Sequence, residues 1–168
     1  MKKVQTHIPY GFVIALIMIV IGVIFQVAKI SDKPGLNWIP FIVMLVGIVL
    51  NAQAYSKANN AQVTFGQVFG SGFKASAIVA IVFVAWSFIA LLIFPEIYTK
   101  AIEKVQEDMA TKHLSQEQID STVKMTQKYF KVFMVAGALF GTMIMGLLFS
   151  IIGAAVAKKA PKQELTIS

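Results

Sequence analysis

The chain has 168 residues, of which 57% are hydrophobic and 14% are charged, whereas soluble domains average ~45–50% and ~25%. This composition excludes an ordinary soluble domain and predicts a single integral membrane domain. The formal net charge is +7, but no basic stripe with interleaved aromatic residues accompanies it, so nucleic-acid binding is not expected. Cysteine is absent and every basic residue is lysine, which excludes disulfides, thiolate metal sites and the guanidinium fork that clamps anions tightly.

Four apolar runs follow one another along the chain, and each is free of Asp, Glu, Lys and His. About 20 apolar residues cross the ~30 Å hydrocarbon core of a bilayer. Uninterrupted runs of this kind insert because Leu and Ile favour insertion and no charge opposes it. The first run is too long for a signal peptide and lacks a cleavage site, so it is predicted to be retained. The four predicted spans are residues 8–28, 38–54, 75–94 and 132–157.

The segment before the third run contains three phenylalanines at helical spacing, Phe65, Phe69 and Phe73. On a helix these positions form one aromatic ridge. Because Lys74 closes the ridge, the segment predicts a short helix that lies in the membrane interface ahead of the third span. A flexible glycine-rich loop is the alternative interpretation.

A charged insert, residues 96–130, separates the third and fourth runs and holds six of the eight acidic residues. Pro95 predicts the end or a kink of the third helix and the start of a new one. Farther along, Ser115 and Gln118 have the spacing of a capping box, and Leu114 takes the place of the preceding hydrophobic staple residue. The insert therefore predicts two helical arms that fold back on each other.

These elements together predict an all-α integral membrane protein with four transmembrane helices and a long helical hairpin that extends spans three and four into solvent. With four spans both chain ends share one side, which carries seven lysines against eight on the other. The first helix usually sets the orientation, and the basic MKK start and KKAPK tail favour cytoplasmic termini. The hairpin is then expected in the periplasm.

No grouping of reactive side chains predicts an enzyme, a cofactor site or a metal site. The two histidines, His7 and His113, lie outside the predicted spans and far apart in sequence, which suits neither a catalytic pair nor a metal centre. The spans also lack the ionisable residues that line ion and proton pathways.

Small residues recur at helical spacing in the fourth run. Gly137 and Gly141 form one G-x-x-x-G step, and Gly146, Ser150 and Ala154 form a second ridge. Ridges of this kind let helices approach closely. They predict helix packing inside the bundle, and the alternative is a contact between two copies of the chain.

Four stretches, TFGQVFGSGFKAS, LLIFPEIYTKAIEKV, LSQEQID and GLLFSIIGAAVAKK, follow in this order over nearly the whole chain. In this arrangement the chain resembles a family of four-helix membrane proteins, widespread in Bacteroidetes, that is defined as a domain of unknown function. The resemblance implies a protein of the bacterial inner membrane and carries no catalytic or binding residues with it.

The expected function is that of a non-enzymatic accessory or assembly subunit. Its partners would be the lipid bilayer and a membrane or periplasmic protein, docked at the hairpin tip formed by Lys112, His113 and Leu114. A hairpin that serves only as a solvated connector is the alternative interpretation of the insert. The alternative function is a small permease or lipid-handling protein that acts as an oligomer.

Overall fold

The computed structural model describes residues 3–31, 33, 35–112 and 115–160, and all regular secondary structure in them is helical. The chain divides into two compact units, which are described separately: unit 1 is Met1–Val82 with Thr142–Ser168, and unit 2 is Phe83–Gly141. The elements in chain order are α1 (His7–Val27), a 3₁₀ turn (Leu36–Trp38), α2 (Ile39–Ala58), α3 (Phe65–Ile93), α4 (Glu96–Ala110), α5 (Gln116–Ala136), a π-helical turn (Gly137–Gly141) and α6 (Thr142–Val156).

Four helical stretches are long and apolar enough to cross a bilayer, which confirms the all-helical class and the number of candidate spans. Their large apolar side chains are widely exposed, as at Leu16 and Leu92, where 61% and 86% of the surface is accessible. Soluble monomers rarely expose contiguous apolar surface on this scale. The stretches are His7–Val27, Leu36–Ala58, Phe65–Ile93 and Gln116–Val156.

In unit 1, α2 packs against both α1 and α6. Ile14 of α1 and Met44 and Ile48 of α2 are at most 2% exposed and form part of the core. A Cβ atom built at Gly47 would overlap the side chain of Ile14. The α1–α2 contact therefore depends on a glycine that leaves room for a branched side chain.

Helices α3 and α6 approach each other through two matching Gly-x-x-x-Ser steps. A Cβ atom built at Gly146 would overlap the side chain of Ser76, and one built at Gly72 would lie 2.8 Å from Ser150 Oγ. Each serine donates its hydroxyl to the carbonyl of its own glycine four residues earlier, at 3.1 Å for Ser76 and 2.6 Å for Ser150. The order of the contacts makes the helices antiparallel, and the hydroxyls stay satisfied inside the contact.

The start of α3 is fixed by a second capping box, which the sequence analysis did not single out. Thr64 N–H donates to Gln67 Oε1 at 3.1 Å, and Gln67 N–H donates to Thr64 Oγ1 at 3.3 Å. The predicted aromatic ridge is present, since the rings of Phe65, Phe69 and Phe73 stack with centroids 6.5 and 5.9 Å apart. The separate interfacial helix and the glycine-rich loop are both wrong, because α3 runs from this cap to Ile93 as one helix.

Unit 2 contains the paired helices α4 and α5. Helix α4 begins directly after Pro95, as predicted, with Glu96 in its first turn. The Ser115 capping box is confirmed in both directions, and α5 follows it. The rings of Tyr98 and Phe130 meet edge to face at 4.8 Å, so the beginning of α4 lies beside the end of the charged part of α5. The two arms are therefore antiparallel.

The helical stretch that contains the fourth predicted span is not a regular α-helix. Tyr129 leaves the helical region with φ −108° and ψ 16°, and a π-helical turn occupies Gly137–Gly141. An i to i+5 turn inserts one residue into the α-helical ladder, which changes the face that subsequent side chains present. Sequence periodicity alone assumed an unbroken α-helix here.

Candidate functional site

The two small-residue ridges of the fourth run have different surroundings. Gly146, Ser150 and Ala154 are all buried in unit 1, the first two against α3. Gly137 and Gly141 lie in the π-helical turn and are exposed, and no described atom lies within 4 Å of a Cβ built at either position. The structure thus shows a close helix contact at the second ridge and no such contact within the described residues at the first.

The segment before α1 is held against α2 by two buried asparagines. The Asn59 side chain accepts from Val4 N–H at 2.9 Å and donates to the Val4 carbonyl at 3.2 Å, as a neighbouring strand would. Thr6 Oγ1 donates to Asn51 Oδ1 at 2.7 Å, and the Asn51 amide donates to Ser71 Oγ of α3 at 3.2 Å. Asn51 is fully buried and Asn59 is 8% exposed, so these bonds are partly shielded from water and hold the segment against α2.

This clamp directs alternate residues of the segment into a cleft. Residues 4 and 6 bond to α2, whereas Lys3, Gln5 and His7 line a cleft of about 320 Å³. The facing wall is the start of α3, which contributes Gly66, Gln67, Gly70, Ser71 and Lys74. We call this space the Lys3–Lys74 cleft.

The Lys3–Lys74 cleft carries positive charge that no described acid in unit 1 offsets. The eight acids of the chain are the six of the insert plus Asp32 and Glu164, which lie outside the described residues. Lys3 Nζ donates to the Gln62 carbonyl, and an ammonium group has three donors in all. Amide and hydroxyl groups line the cleft together with the lysines, so its charge favours an anion over a cation.

A second cleft, of about 580 Å³, opens at the same end of unit 1. It is lined by polar residues of the α2 end and by the segment after α6, including Gln53, Lys57 and Lys158. Ser56 Oγ donates to the Lys158 carbonyl, and Ala160 N–H donates to the Ala61 carbonyl at 2.8 Å. The chain beyond α6 is thereby tied to the α2–α3 turn.

In unit 2, the end of α4 and the start of α5 enclose an open groove of about 500 Å³, which we call the acidic groove. It is lined by Met109, Glu117, Gln118, Ser121 and Thr122. Over residues 103–120 the chain carries five acids and two lysines, so the groove lies at the negative end of the helical pair.

The predicted docking residues stand next to this groove in sequence. Lys112 is exposed, whereas His113 and Leu114 lie outside the described residues, as does the Leu114 half of the predicted staple. In the described part of the chain no three His, Asp or Glu side chains group to hold a metal ion.

Sequence reasoning missed the Lys3–Lys74 cleft because its two walls are about sixty residues apart. A partial signal was present in Asn51 and Asn59, two amides of which one lies in α2 and the other directly follows its last residue. The groups to which the two asparagine side chains hydrogen-bond depend on where the N-terminal segment folds.

These features define the class of protein: an all-helical chain with four helices that are long and apolar enough to span a membrane. The chain belongs to the family DUF4199, described as a protein of unknown function, whose model matches residues 9–159. This confirms the resemblance to a domain of unknown function. No curated protein and no solved structure matches the chain significantly.

Proposed function

We propose that this protein is a non-enzymatic accessory or assembly subunit of the bacterial inner membrane. Its four long helices anchor it in the bilayer, and the α4–α5 pair stands in the periplasm and binds a partner protein. The acidic groove is the observation that carries the proposal, because it combines a concave surface that contains Glu117 with an excess of acids over lysines at this end of a well-packed helical pair.

The helical pair is more elaborate than a connector requires. Helices in bundles are commonly joined by ~2–8 residues, whereas here two helices pack against each other and the second is capped. Ile102 of α4 and Val123 of α5 are only 7% and 8% exposed, and the Ser115 capping box fixes the start of α5. This packing and capping support a role for the α4–α5 pair as a binding surface of defined shape.

The charge of the groove indicates the chemistry of the partner. An acidic concave surface attracts a segment rich in lysine or arginine and repels an acidic one. Met109 supplies an apolar contact in the same groove. We therefore propose that the partner presents a basic helix or loop with at least one apolar side chain.

The end of the α4–α5 pair that is opposite the acidic groove has side chains typical of a position next to the bilayer. Lys128 Nζ lies 5.2 Å from the centre of the Tyr129 ring, and that ring meets Phe133 at 6.4 Å. Aromatic rings and lysines concentrate at the membrane–water interface. In this proposal the chain ends remain in the cytoplasm, and the acidic groove is the part most distant from the lipid.

A photo-crosslinking residue at Ser121 in cells of the native host tests the proposal. We expect one discrete partner protein among the adducts, and no such adduct from the same residue at Thr99 near the start of α4. Glu117→Lys should abolish the adduct, whereas Glu96→Lys, the same chemical change at the far end of α4, should not. Adducts that are absent, come only from copies of this chain, or persist in Glu117→Lys would overturn the docking proposal.

The alternative, a small permease or lipid-handling protein, predicts sensitive positions inside the helices instead. Asn51→Leu and Thr142→Val would then abolish function while changes in the acidic groove would be silent. The interior of unit 1 favours the docking proposal, because Asn51, Ser76 and Ser150 are engaged in hydrogen bonds within the protein.

A further inference from the structure

We propose that the Lys3–Lys74 cleft binds the phosphate headgroup of an anionic phospholipid. This site is independent of the docking proposal, since it lies in unit 1 and uses none of the residues of the acidic groove. The shared chemistry of the possible occupants is a phosphate anion, and the arguments below favour the lipid over free phosphate.

The lining groups match a phosphate in charge and in donors. Lys3 and Lys74 provide ammonium groups, and Gln5, Gln67 and Ser71 provide amide and hydroxyl donors. Lysine binds phosphate as a point charge, without the bidentate geometry of arginine. Recognition by lysine alone is modest in strength, which suits a ligand that is abundant in the surrounding membrane.

The cleft has the size of a headgroup site. Small-molecule sites range over ~300–1,000 Å³, and this cleft of about 320 Å³ is at the lower end. Gly66 and Gly70 lie in its wall, and a Cβ atom built at either position would have no atom within 4 Å. The α3 backbone is therefore open to close approach by a ligand. A headgroup fits this space while its acyl chains remain outside.

The position of the cleft along the helices favours a lipid. His7 and Lys74 each stand directly before an apolar stretch, residues 8–27 in α1 and 75–93 in α3, that contains no charged residue. Charged side chains avoid the hydrocarbon and take up positions at the level of the headgroups. After His7 in α1, Ile8 and Phe12 are 48% and 56% exposed, and they offer apolar surface to an acyl chain.

The asparagine clamp is the second part of the argument. Asn51 and Asn59 hold residues 4 and 6 on α2, and this holds Lys3, Gln5 and His7 in the opposite wall. The hydrogen bonds of the two asparagines therefore position the cleft. Basic pockets between transmembrane helices are a known means of holding anionic headgroups.

Native mass spectrometry of the full-length protein in detergent tests the inference. The protein is titrated with equimolar dioleoylphosphatidylglycerol and dioleoylphosphatidylcholine, which share acyl chains and differ in headgroup charge. We expect preferential retention of phosphatidylglycerol, and a loss of about fivefold in that preference for Lys74→Gln or Lys3→Gln. A fivefold change corresponds to ~1 kcal/mol, the contribution expected of one lysine near an anionic membrane surface.

Two lysine variants serve as matched controls. Lys57→Gln removes a charge from the neighbouring cleft, and Lys33→Gln removes one near the start of α2. Both should keep the wild-type preference, and circular dichroism should show all four variants folded. Equal losses in all four variants would indicate diffuse surface charge and overturn the site, as would unchanged preference in Lys74→Gln and Lys3→Gln.

A third measurement separates the two sources of phosphate. Millimolar inorganic phosphate is added to the lipid titration and, separately, to lipid-free protein. We expect it to leave the phosphatidylglycerol preference unchanged. Displacement of the lipid together with phosphate retention that depends on Lys74 would assign the cleft to free phosphate and refute the lipid.

Discussion

The contact between α3 and α6 gives a sharp test of the packing, through the exchange of Gly146 for alanine. The added Cβ atom would overlap both Cβ and Oγ of Ser76 and would lie 3.2 Å from Met44 Cε. Rotation of the serine side chain could move its hydroxyl, but its Cβ is fixed by the backbone. The clash therefore cannot be relieved without a shift of one helix.

The matched control is Gly22→Ala in α1, where the added Cβ atom would have no atom within 4 Å. Both exchanges gain up to ~1 kcal/mol in helix propensity, so this gain cancels when the two variants are compared. The remaining difference is the cost of overpacking, typically ~1–3 kcal/mol. We expect Gly146→Ala to be less stable than Gly22→Ala by this amount.

The assay is unfolding of the purified protein in mixed micelles by a titration with sodium dodecyl sulfate, followed by circular dichroism. Ser76→Gly removes both serine atoms of the clash. The double variant Gly146→Ala/Ser76→Gly should therefore recover most of the stability lost in Gly146→Ala. Neighbouring residues couple by ~0.5–3 kcal/mol in such cycles. Equal stability of the two glycine variants, or a double variant whose losses simply add, would refute the close contact of these helices.

Three further predictions follow from the polar contacts. Asn51→Leu leaves two partner hydroxyls without their bonds and should lower the free energy of unfolding by ~1–3 kcal/mol. Its control is Gln53→Leu at an exposed position, which should change the free energy of unfolding by at most ~0.5 kcal/mol. The same micelle titration measures both variants. Asn59→Leu should weaken the phosphatidylglycerol preference in native mass spectrometry although no lysine is removed, and an unchanged preference would contradict the role of the clamp. Ser115→Ala should destabilise α5 by ~1 kcal/mol through loss of its cap, seen as faster amide hydrogen exchange in that helix than in the control Ser121→Ala.

Much of this protein could be predicted from local sequence. The lengths of the apolar runs indicated four candidate spans, because the bilayer sets a minimum length of uncharged helix. Pro95 marked the break between α3 and α4, and the Ser115–Gln118 pair marked the start of α5, because both effects act within a few residues. The same local rule could have found the Thr64 cap, which would have shown that α3 begins ten residues before the predicted third span.

The candidate sites could not be predicted in this way. The chain has 11 glycines, and spacing alone does not tell which of them faces a neighbouring side chain. Gly137 and Gly141 have the better-known motif but lie exposed in a π-helical turn, whereas Gly146 is the residue that meets Ser76. The Lys3–Lys74 cleft likewise joins residues distant in the sequence.

The sequence by itself determined the number of apolar helices, the cap at Ser115 and the separation of a charged insert from apolar spans, because these depend on run length and on interactions between residues at most four or five positions apart. Only the tertiary structure decided which glycine faces which serine, and that two buried asparagines hold the N-terminal segment against α2. The physical reason is that each of these contacts depends on the relative placement of whole helices, which no local pattern specifies.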